Sequence, residues 1–260
     1  MKSTLYVTAD DFGLHPAINE GILKLHNMGV VNRVSIIVGT EYFKESVSAL
    51  KKTPRLEVGV HLNLTDGRPI LHASNVRSLV NKRGGFIGGR HIAVATGVMF
   101  GALSIIEIRA EWSAQIDRAK RAGLKITFLN SHGHIHLLPQ LQDVILDLAV
   151  ENNIKYIRVI LNASELKGYI YKVLSKRLIQ KIKDRKLEIT YPAAVYGVDH
   201  QGHLDKGIIE SELKKRKKSE IAELITHPAS HENEYHTAWG YATKQEYESL
   251  VSISELGDDN

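Results

Sequence analysis

The first strand–helix–strand unit of the chain reads LYVTADDFGLHPAINEGILKLHNMGVVNRVSIIV over residues 5–38. The short run at 5–8 predicts a strand, and 16–27 predicts a helix because proline is favoured in the first turn of a helix. The β-branched run at 34–38 predicts the second strand. The same rhythm predicts later strands at about 56–60, 124–129, 156–159, 187–189 and 221–226, and helices at about 41–51, 105–122, 140–152 and 165–184.

This alternation of strands and helices is typical of a parallel sheet with helices packed on it. About seven such units favour an α/β barrel over an open doubly wound sheet, and no GxGxxG motif follows the first strand to indicate a dinucleotide site. A glycine-rich stretch at about 66–105 interrupts the rhythm and predicts an insertion or lid with a short helix of its own. We therefore expect one barrel domain over residues 1–260.

The composition of the 260 residues excludes several kinds of site. The chain has no cysteine, which rules out disulfide scaffolds, thiolate zinc sites, iron–sulfur clusters and cysteine nucleophiles. Any bound metal must therefore be held by histidine and carboxylate side chains, and the sequence has 13 histidines.

The formal charge of +5 owes much to one basic run, Lys214–Lys218. No aromatic residues interleave with these cations to stack on bases, so the run predicts a solvated helix face, and we expect no nucleic-acid partner. No stretch reaches the roughly 20 apolar residues of a membrane span, and the N-terminus turns acidic too early for a signal peptide. We expect a cytoplasmic protein; a weak contact with a membrane surface and a homodimer both stay open.

Charged and imidazole side chains follow the predicted strands at the point where each strand ends. In a parallel barrel these ends lie on one face, where such enzymes place their active sites. Five strand ends deliver such groups to this face: Asp10 with Asp11, His61, His132 with His134 and His136, Arg158, and His227. The sequence therefore predicts a functional site at this rim.

Each of these motifs also has a purely structural interpretation. The pair Asp10–Asp11 is as typical of a turn or a helix N-cap as of a metal ligand beside a proton acceptor. Three histidines within 132–136 favour a metal site, because two imidazoles and one carboxylate hold a metal while leaving positions open. Loop or surface positions are expected for four further histidines: His200, His203, His231 and His236.

Four motifs, spread from the first predicted strand to the last, carry a resemblance to a known family: TADDFGL at 8–14, GVHLNLT at 59–65, SHGHIH at 131–136 followed by Pro139, and HPA at 227–229. The chain resembles the YdjC-like carbohydrate deacetylases, which include chitooligosaccharide deacetylases and a hopanoid-associated branch. The resemblance implies a distorted (β/α) TIM-like barrel and one divalent metal ion, magnesium or zinc.

The resemblance also implies roles for individual residues. It makes Asp11, His61 and His132 the metal ligands, Asp10 the general base and His227 the general acid. It has Arg158 hold a carboxylate or the substrate, and it makes His134 and His136 substrate contacts or supports of a ligand. We also expect Tyr196 to contact substrate. One departure is visible, because the family often has aspartate where this chain has Asn130. Asparagine lacks the charge that makes a histidine ligand more basic, so the departure bears on metal affinity rather than on the reaction class.

These implications define the expected function. It is a metal-dependent hydrolase that removes the N-acetyl group of an acetylated amino sugar, in an oligosaccharide or a glycolipid, and gives acetate and a free amine. One alternative is a metal-dependent hydrolase of another acyl group or of a phosphoester. Another is a non-catalytic carbohydrate-binding barrel, which would need neither a base nor an acid.

Overall fold

A computed structural model of the protein describes residues 4–87, 91–163, 166–217 and 220–254. Its centre is a parallel sheet of six strands in the order β4-β3-β2-β1-β6-β5. The strands are β1 (Thr4–Phe12), β2 (Arg33–Ile36), β3 (Glu57–Leu62), β4 (Ile126–Ser131), β5 (Ala194–Tyr196) and β6 (Ile221–Thr226).

Helices follow most of the strands. The α-helices are α1 (Pro16–Asn27), α2 (Phe43–Lys51), α3 (His91–Met99), α4 (Ile105–Arg121), α5 (Gln142–Glu151), α6 (Leu166–Asp184), α7 (Lys206–Lys214), α8 (Glu234–Trp239) and α9 (Thr243–Ser254). Within the described ranges, three 3-10 helices lie at Ala73–Asn75, Arg77–Leu79 and His132–Leu137.

The sheet curls towards a barrel between its two edge strands. Beyond β4 the pairing continues through two isolated parallel bridges, Leu129 with Ile157 and Tyr156 with Thr190. Thr190 lies four residues before β5. The two single bridges and the chain from Thr190 to β5 therefore connect the edges of the curled sheet. The α/β class and the distorted barrel predicted from the sequence are confirmed.

Helices cover the sheet through apolar faces with the expected spacing. In α1, Ile18, Ile22 and Leu25 are fully buried, because positions four and seven residues apart fall on one side of a helix. In α4, Trp112 and Ile116 are likewise fully buried. Among the described residues, no helix combines the length and apolar character that crossing a membrane requires.

The insertion predicted at about 66–105 contains two of the 3-10 helices and then α3, which is the short helix expected there. Residues 88–90, just before α3, lie outside the described residues. The residue that opens α3, His91, packs its ring against that of His132, with the ring centres 4.4 Å apart. The insertion therefore extends to the end of the sheet where the predicted site residues lie.

Three local predictions need correction. Residues 156–159 and 187–189 do not form strands, because this part of the chain pairs only through single bridges. The basic run is not a helix face, since α7 ends at Lys214 and the next three residues lie in a turn and an irregular stretch. Consecutive like charges repel each other along a helix, which favours ending it there. Lys218 lies outside the described residues.

Candidate active site

The predicted rim residues converge at the carboxyl ends of the strands. Asp10 and Asp11 lie near the end of β1, His61 near the end of β3, and His132 directly after β4. His227 directly follows β6. All five side chains are buried, with at most 5% of any residue exposed.

A local irregularity in β1 brings two adjacent aspartates to the same site. Side chains of neighbouring strand residues normally point to opposite faces of the sheet. The pairing of β1 with β2 shifts register between Ala9 and Phe12, and Asp11 has a left-handed backbone with φ of 66°. Asp10 and Asp11 can therefore both contact the histidines at this end of the sheet.

Asp11, His61 and His132 form a compact set of potential metal ligands. Asp11 Oδ1 lies 3.4 Å from His61 Nε2 and 2.9 Å from His132 Nδ1, and the two nitrogens are 3.2 Å apart. Ligands about 2.1 Å from one cation stand roughly 3.0–3.4 Å from each other, so the spacing fits. Asp11 Oδ1 is buried without a hydrogen-bond partner among the described residues. These three residues could hold a divalent cation.

Asn130 sets the orientation of His61. Its Oδ1 lies 2.8 Å from His61 Nδ1, so this nitrogen donates a hydrogen bond and Nε2 is left as the nitrogen with a lone pair. The Asn130 amide nitrogen donates to Asp10 Oδ1 (3.1 Å), and Ser35 Oγ donates to the same oxygen (2.6 Å). Burial lowers the pKa of His61. Asn130, which is uncharged, therefore connects His61 to Asp10 through hydrogen bonds.

Arg158 clamps Asp10 inside the curled sheet. Its two terminal nitrogens donate to Asp10 Oδ2 at 2.6 Å and to Asp10 Oδ1 at 3.0 Å, and its Nε donates to Glu223 Oε1 at 3.0 Å. Burial alone would raise the pKa of Asp10, but Arg158, together with His61 and His227, outweighs it and holds that pKa well below its ordinary value. Since Arg158 is fully buried and engaged with two carboxylates, it is placed to fix Asp10 and not to contact substrate.

His227 approaches Asp10 from the other side. Its Nε2 lies 4.0 Å from Asp10 Oδ2, and its backbone N–H donates to Glu246 Oε1. Burial lowers the pKa of His227 to about 4, so its ring is neutral at pH 7.

A small cavity of about 30 Å³ lies between these groups. That volume has room for about one or two water molecules. The lining residues are Asp10, His61, His91, His132, Gly133, His134, Gln201, His227 and Tyr241. His91, Gln201 and Tyr241 were not predicted from the sequence.

Residues 4–254 match the family model described as YdjC-like protein. The chain belongs to the YdjC-like family. It is 29% identical over 249 residues to a carbohydrate deacetylase of Oceanobacillus iheyensis, covering 95% of each chain. It is 38% identical over 148 residues to a carbohydrate deacetylase of Brevibacillus brevis, covering 56% of each chain. The resemblance predicted from the four motifs is confirmed.

A solved structure supports the fold assignment. A proposed cellobiose-phosphate cleavage protein of Enterococcus faecalis superposes with a TM-score of 0.76 at 25% identity, covering 98% of this chain and 94% of its own. A lactam utilization protein of Thermus thermophilus, 15% identical with a TM-score of 0.50, shares the fold alone.

Within this YdjC-like fold, His134 is at the cavity and Tyr196 is not. His134 receives a hydrogen bond from the Gln201 amide nitrogen (2.7 Å) and has a left-handed backbone with φ of 57°. Tyr196 pairs in register with Leu224, whereas the neighbouring Glu223 faces Arg158 inside the sheet. Since side chains alternate along a strand, Tyr196 points to the opposite face, away from the cavity.

His136 acts as a buried support beneath the rim. One ring nitrogen, Nδ1, lies 2.7 Å from Ser131 Oγ, and Nε2 lies 2.9 Å from the backbone oxygen of Arg158. Burial lowers the pKa of His136 to about 3. The neutral ring therefore connects the end of β4 to the segment that carries Arg158.

The surface position expected for His236 is wrong. Its side chain is fully buried, with Nε2 3.4 Å from Asp11 Oδ2. The short helix α8 folds back over the rim, with the Asn233 side chain accepting from the His236 backbone N–H as its N-cap. The N-cap residue signals where α8 begins, but no local pattern signals that His236 is buried. His231 is exposed as expected, and neither His200 nor His203 lines the cavity.

Proposed function

We propose that this protein is a metal-dependent carbohydrate deacetylase that hydrolyses the N-acetyl group of an acetylated amino sugar. Family membership and the relatives named carbohydrate deacetylase support the reaction class. The observation that carries the proposal is one arrangement: Asp10, clamped by Arg158, adjoins the ligand set of Asp11, His61 and His132.

In this proposal Asp11, His61 and His132 hold the cation. Carboxylate and imidazole ligands suit zinc, and magnesium is the alternative that the carboxylate favours. When bound, the cation polarises the amide carbonyl and makes water more acidic.

Asp10 is the proposed general base. It accepts a proton as the oxygen of water forms a bond to the amide carbon. Hydrogen bonds from Arg158, Ser35 and Asn130 keep its carboxylate ionised and fixed in direction. Ionised oxygens have further lone pairs to accept the proton of water.

His227 is the proposed general acid. When the C–N bond breaks, the leaving nitrogen needs a proton to depart as an amine. Because the ring of His227 is neutral at rest, that proton has to reach it during the reaction. Once Asp10 has taken the proton of water, it is the group that can pass that proton to His227; the 4.0 Å between Asp10 Oδ2 and His227 Nε2 requires a bridging water or a closer approach. The products are acetate and the free amine.

Acetate release from N-acetylglucosamine oligomers tests the proposal directly. Asp10→Asn should keep zinc bound and lose about 10²–10⁴-fold in rate, the usual contribution of a general base. Asp117→Asn, on the outer side of α4 with about half of its side chain exposed, is the matched control and should behave as wild type. Near-normal rates in Asp10→Asn would contradict the base assignment. Zinc binding without acetate release in wild type would favour another acyl group, a phosphoester or a binding role.

One observation favours a glycolipid among the acetylated sugars. Of the ten large hydrophobic side chains exposed among the described residues, eight lie in two segments, 87–106 and 169–173. Both segments reach the site, because α3 and α6 each contact the 3-10 helix His132–Leu137. We call these eight side chains the apolar surface: Ile87, Ile92, Met99, Phe100, Ile106, Tyr169, Ile170 and Val173.

Exposed apolar side chains on two segments that contact the site suit a substrate with an acyl chain or a lipid surface. Phe100→Ser, at a side chain 82% exposed, should slow deacetylation of an N-acetylglucosaminyl lipid in vesicles and leave soluble oligomers unaffected. Equal rates on both substrates in wild type and variant would remove the glycolipid. If the protein in solution has a mass near twice that of the chain, and Phe100→Ser has the mass of a single chain, the apolar surface would instead be assigned to a homodimer.

A further inference from the structure

We infer that Asp66 and His236 are positioning residues that hold the outer atoms of two ligands in the proposed metal site. The inference rests on the proposed function, because it assumes that Asp11 and His132 bind a cation. Asn130 already has the same relation to His61. With Asp66 behind His132 and His236 behind Asp11, every ligand of the site has an outer partner.

The His132 ring has a different partner on each side. Its Nδ1 faces Asp11 Oδ1 and His61 Nε2, at 2.9 and 3.2 Å. Its Nε2, on the far side, lies 3.5 Å from Asp66 Oδ2, which is an ion-pair distance, and it makes no hydrogen bond among the described residues. A histidine that binds a cation through Nδ1 must have its proton on Nε2, and a carboxylate facing that N–H fixes the tautomer and makes the ligand more basic. Asp66 therefore supplies to His132 the charge that Asn130 cannot supply to His61.

Asp66 is held by its own loop and is not a free surface acid. Thr65 Oγ1 donates to Asp66 Oδ2, and the Asn63 amide nitrogen donates to the backbone oxygen of Asp66 (2.6 Å). Asn63 is anchored in turn, since its backbone N–H and oxygen both bond to the Gln115 side chain, at 3.0 and 2.8 Å. Only 17% of the Asp66 side chain is exposed. The carboxylate is thus directed at His132 by a fixed turn after β3.

His236 faces Asp11 Oδ2, the carboxylate oxygen that does not face the two histidine ligands. Its Nε2 lies 3.4 Å from Oδ2, while Oδ1 faces the two histidine ligands. The Asn233 amide nitrogen lies 3.4 Å from His236 Nδ1, so Nδ1 is the accepting nitrogen and the proton is on Nε2. An N–H directed at Oδ2 keeps the Asp11 carboxylate from rotating Oδ1 away from the histidines.

Zinc titration of the metal-stripped full chain against a competing chelator tests the inference. Asp66→Asn and His236→Leu should each bind zinc about 10–100-fold more weakly than wild type, the usual effect of removing an outer partner of a ligand. His236→Gln should recover most of the affinity, because the glutamine amide can place an N–H near the position of Nε2. Asp117→Asn and His231→Gln, at exposed side chains, are the matched controls.

A second readout separates positioning from a general structural role. The urea midpoint of the metal-free protein should differ little between Asp66→Asn and wild type, while the zinc affinity falls. Nitrogen-15 NMR of the histidine rings should show His132 protonated on Nε2 in wild type.

The outcomes distinguish the inference from the function beneath it. If wild type binds no zinc or magnesium, the proposed metal site is wrong. If wild type binds zinc and Asp66→Asn binds it equally well, the inference is overturned and the proposed function stands. Should His236→Leu not fold, Asp66→Asn decides the matter, because Asp66 lies in a partly exposed loop.

Discussion

Arg158 meets Asp10 end-on, with each of its two terminal nitrogens donating to a different carboxylate oxygen, at 2.6 and 3.0 Å. Both residues are at most 1% exposed. A bidentate contact of this kind fixes a direction as well as a charge. The carboxylate proposed to accept the proton of water thus has one orientation relative to the metal ligands.

Arg158→Lys should show what this orientation contributes. Lysine keeps the charge but has no planar fork, so Asp10 loses its fixed direction. We expect acetate release to fall about 100-fold, as a small misplacement of a reacting group can cause, with zinc affinity little changed. Steady-state rates and zinc titration measure both quantities. An unchanged rate would mean that Ser35 and Asn130 suffice to orient Asp10.

Glu246 should make stability depend on pH. Its carboxyl is fully buried, and burial raises its pKa from the usual 4.5 to about 8. The folded state therefore binds more protons than the unfolded state between these two values, and stability falls as pH rises through that window. The slope should reach about 1.4 kcal/mol per pH unit.

Urea unfolding from pH 4.5 to 8, compared between wild type and Glu246→Gln, isolates this contribution. The glutamine oxygen can still accept from the His227 backbone N–H, so the fold should be retained. The difference between the two curves should slope across the window. A flat difference would show that Glu246 titrates normally.

Asn130→Asp, which introduces the residue frequent in the family, should lower the stability of the metal-free protein and raise its affinity for metal. The substitution replaces an N–H that donates to Asp10 Oδ1 at 3.1 Å with a second carboxylate oxygen. Without metal the variant should lose about 1–3 kcal/mol of stability, the cost of an unpaired buried polar group. Zinc should bind more tightly, because His61 gains a charged partner. Urea midpoints with and without zinc report both effects, and equal midpoints without zinc would contradict the expectation.

Gly133→Ala should disturb the contact between the insertion and the site. Gly133 has φ of +64°, and an added Cβ would lie 2.3 Å from Cγ of His91. The variant should lose about 1 kcal/mol or more from the backbone alone, and α3 should become easier to cleave with protease. Gly84→Ala, where φ is +74° and a Cβ would meet nothing within 4 Å, is the matched control for backbone strain. Equal cleavage in both variants would show that His91 moves aside freely.

The site at the strand ends could be predicted from the sequence because the parallel topology alone brings these ends together. Asp10, Asp11, His61 and His132 each follow a clear strand pattern, and parallel strands place such positions on one face. What the pattern does not contain is the pairing of side chains. The resemblance implied that Arg158 holds a carboxylate or the substrate, but no spacing in the chain indicates that two buried carboxylates would take up its donors.

Other errors have a geometric origin. Tyr196 lies in a strand of three residues, too short for alternation to show which face it takes. His236 lies in a six-residue helix, and a helix of that length has too few turns for an apolar stripe to reveal its buried side. Both positions depend on tertiary packing that no local pattern reports.

The place of β1 in the sheet has a consequence for how the chain acquires its site. β1 lies between β2 and β6, and Thr4 pairs with Ile221 in register. During synthesis the ribosome must therefore complete 217 more residues before the first strand can pair along its second edge. The three proposed metal ligands, Asp11, His61 and His132, all precede β6 in the sequence. They are therefore synthesised before the sheet that holds them can be completed. Until β6 emerges, the nascent chain presents one open edge of a parallel strand, the stage at which it most needs protection from aggregation.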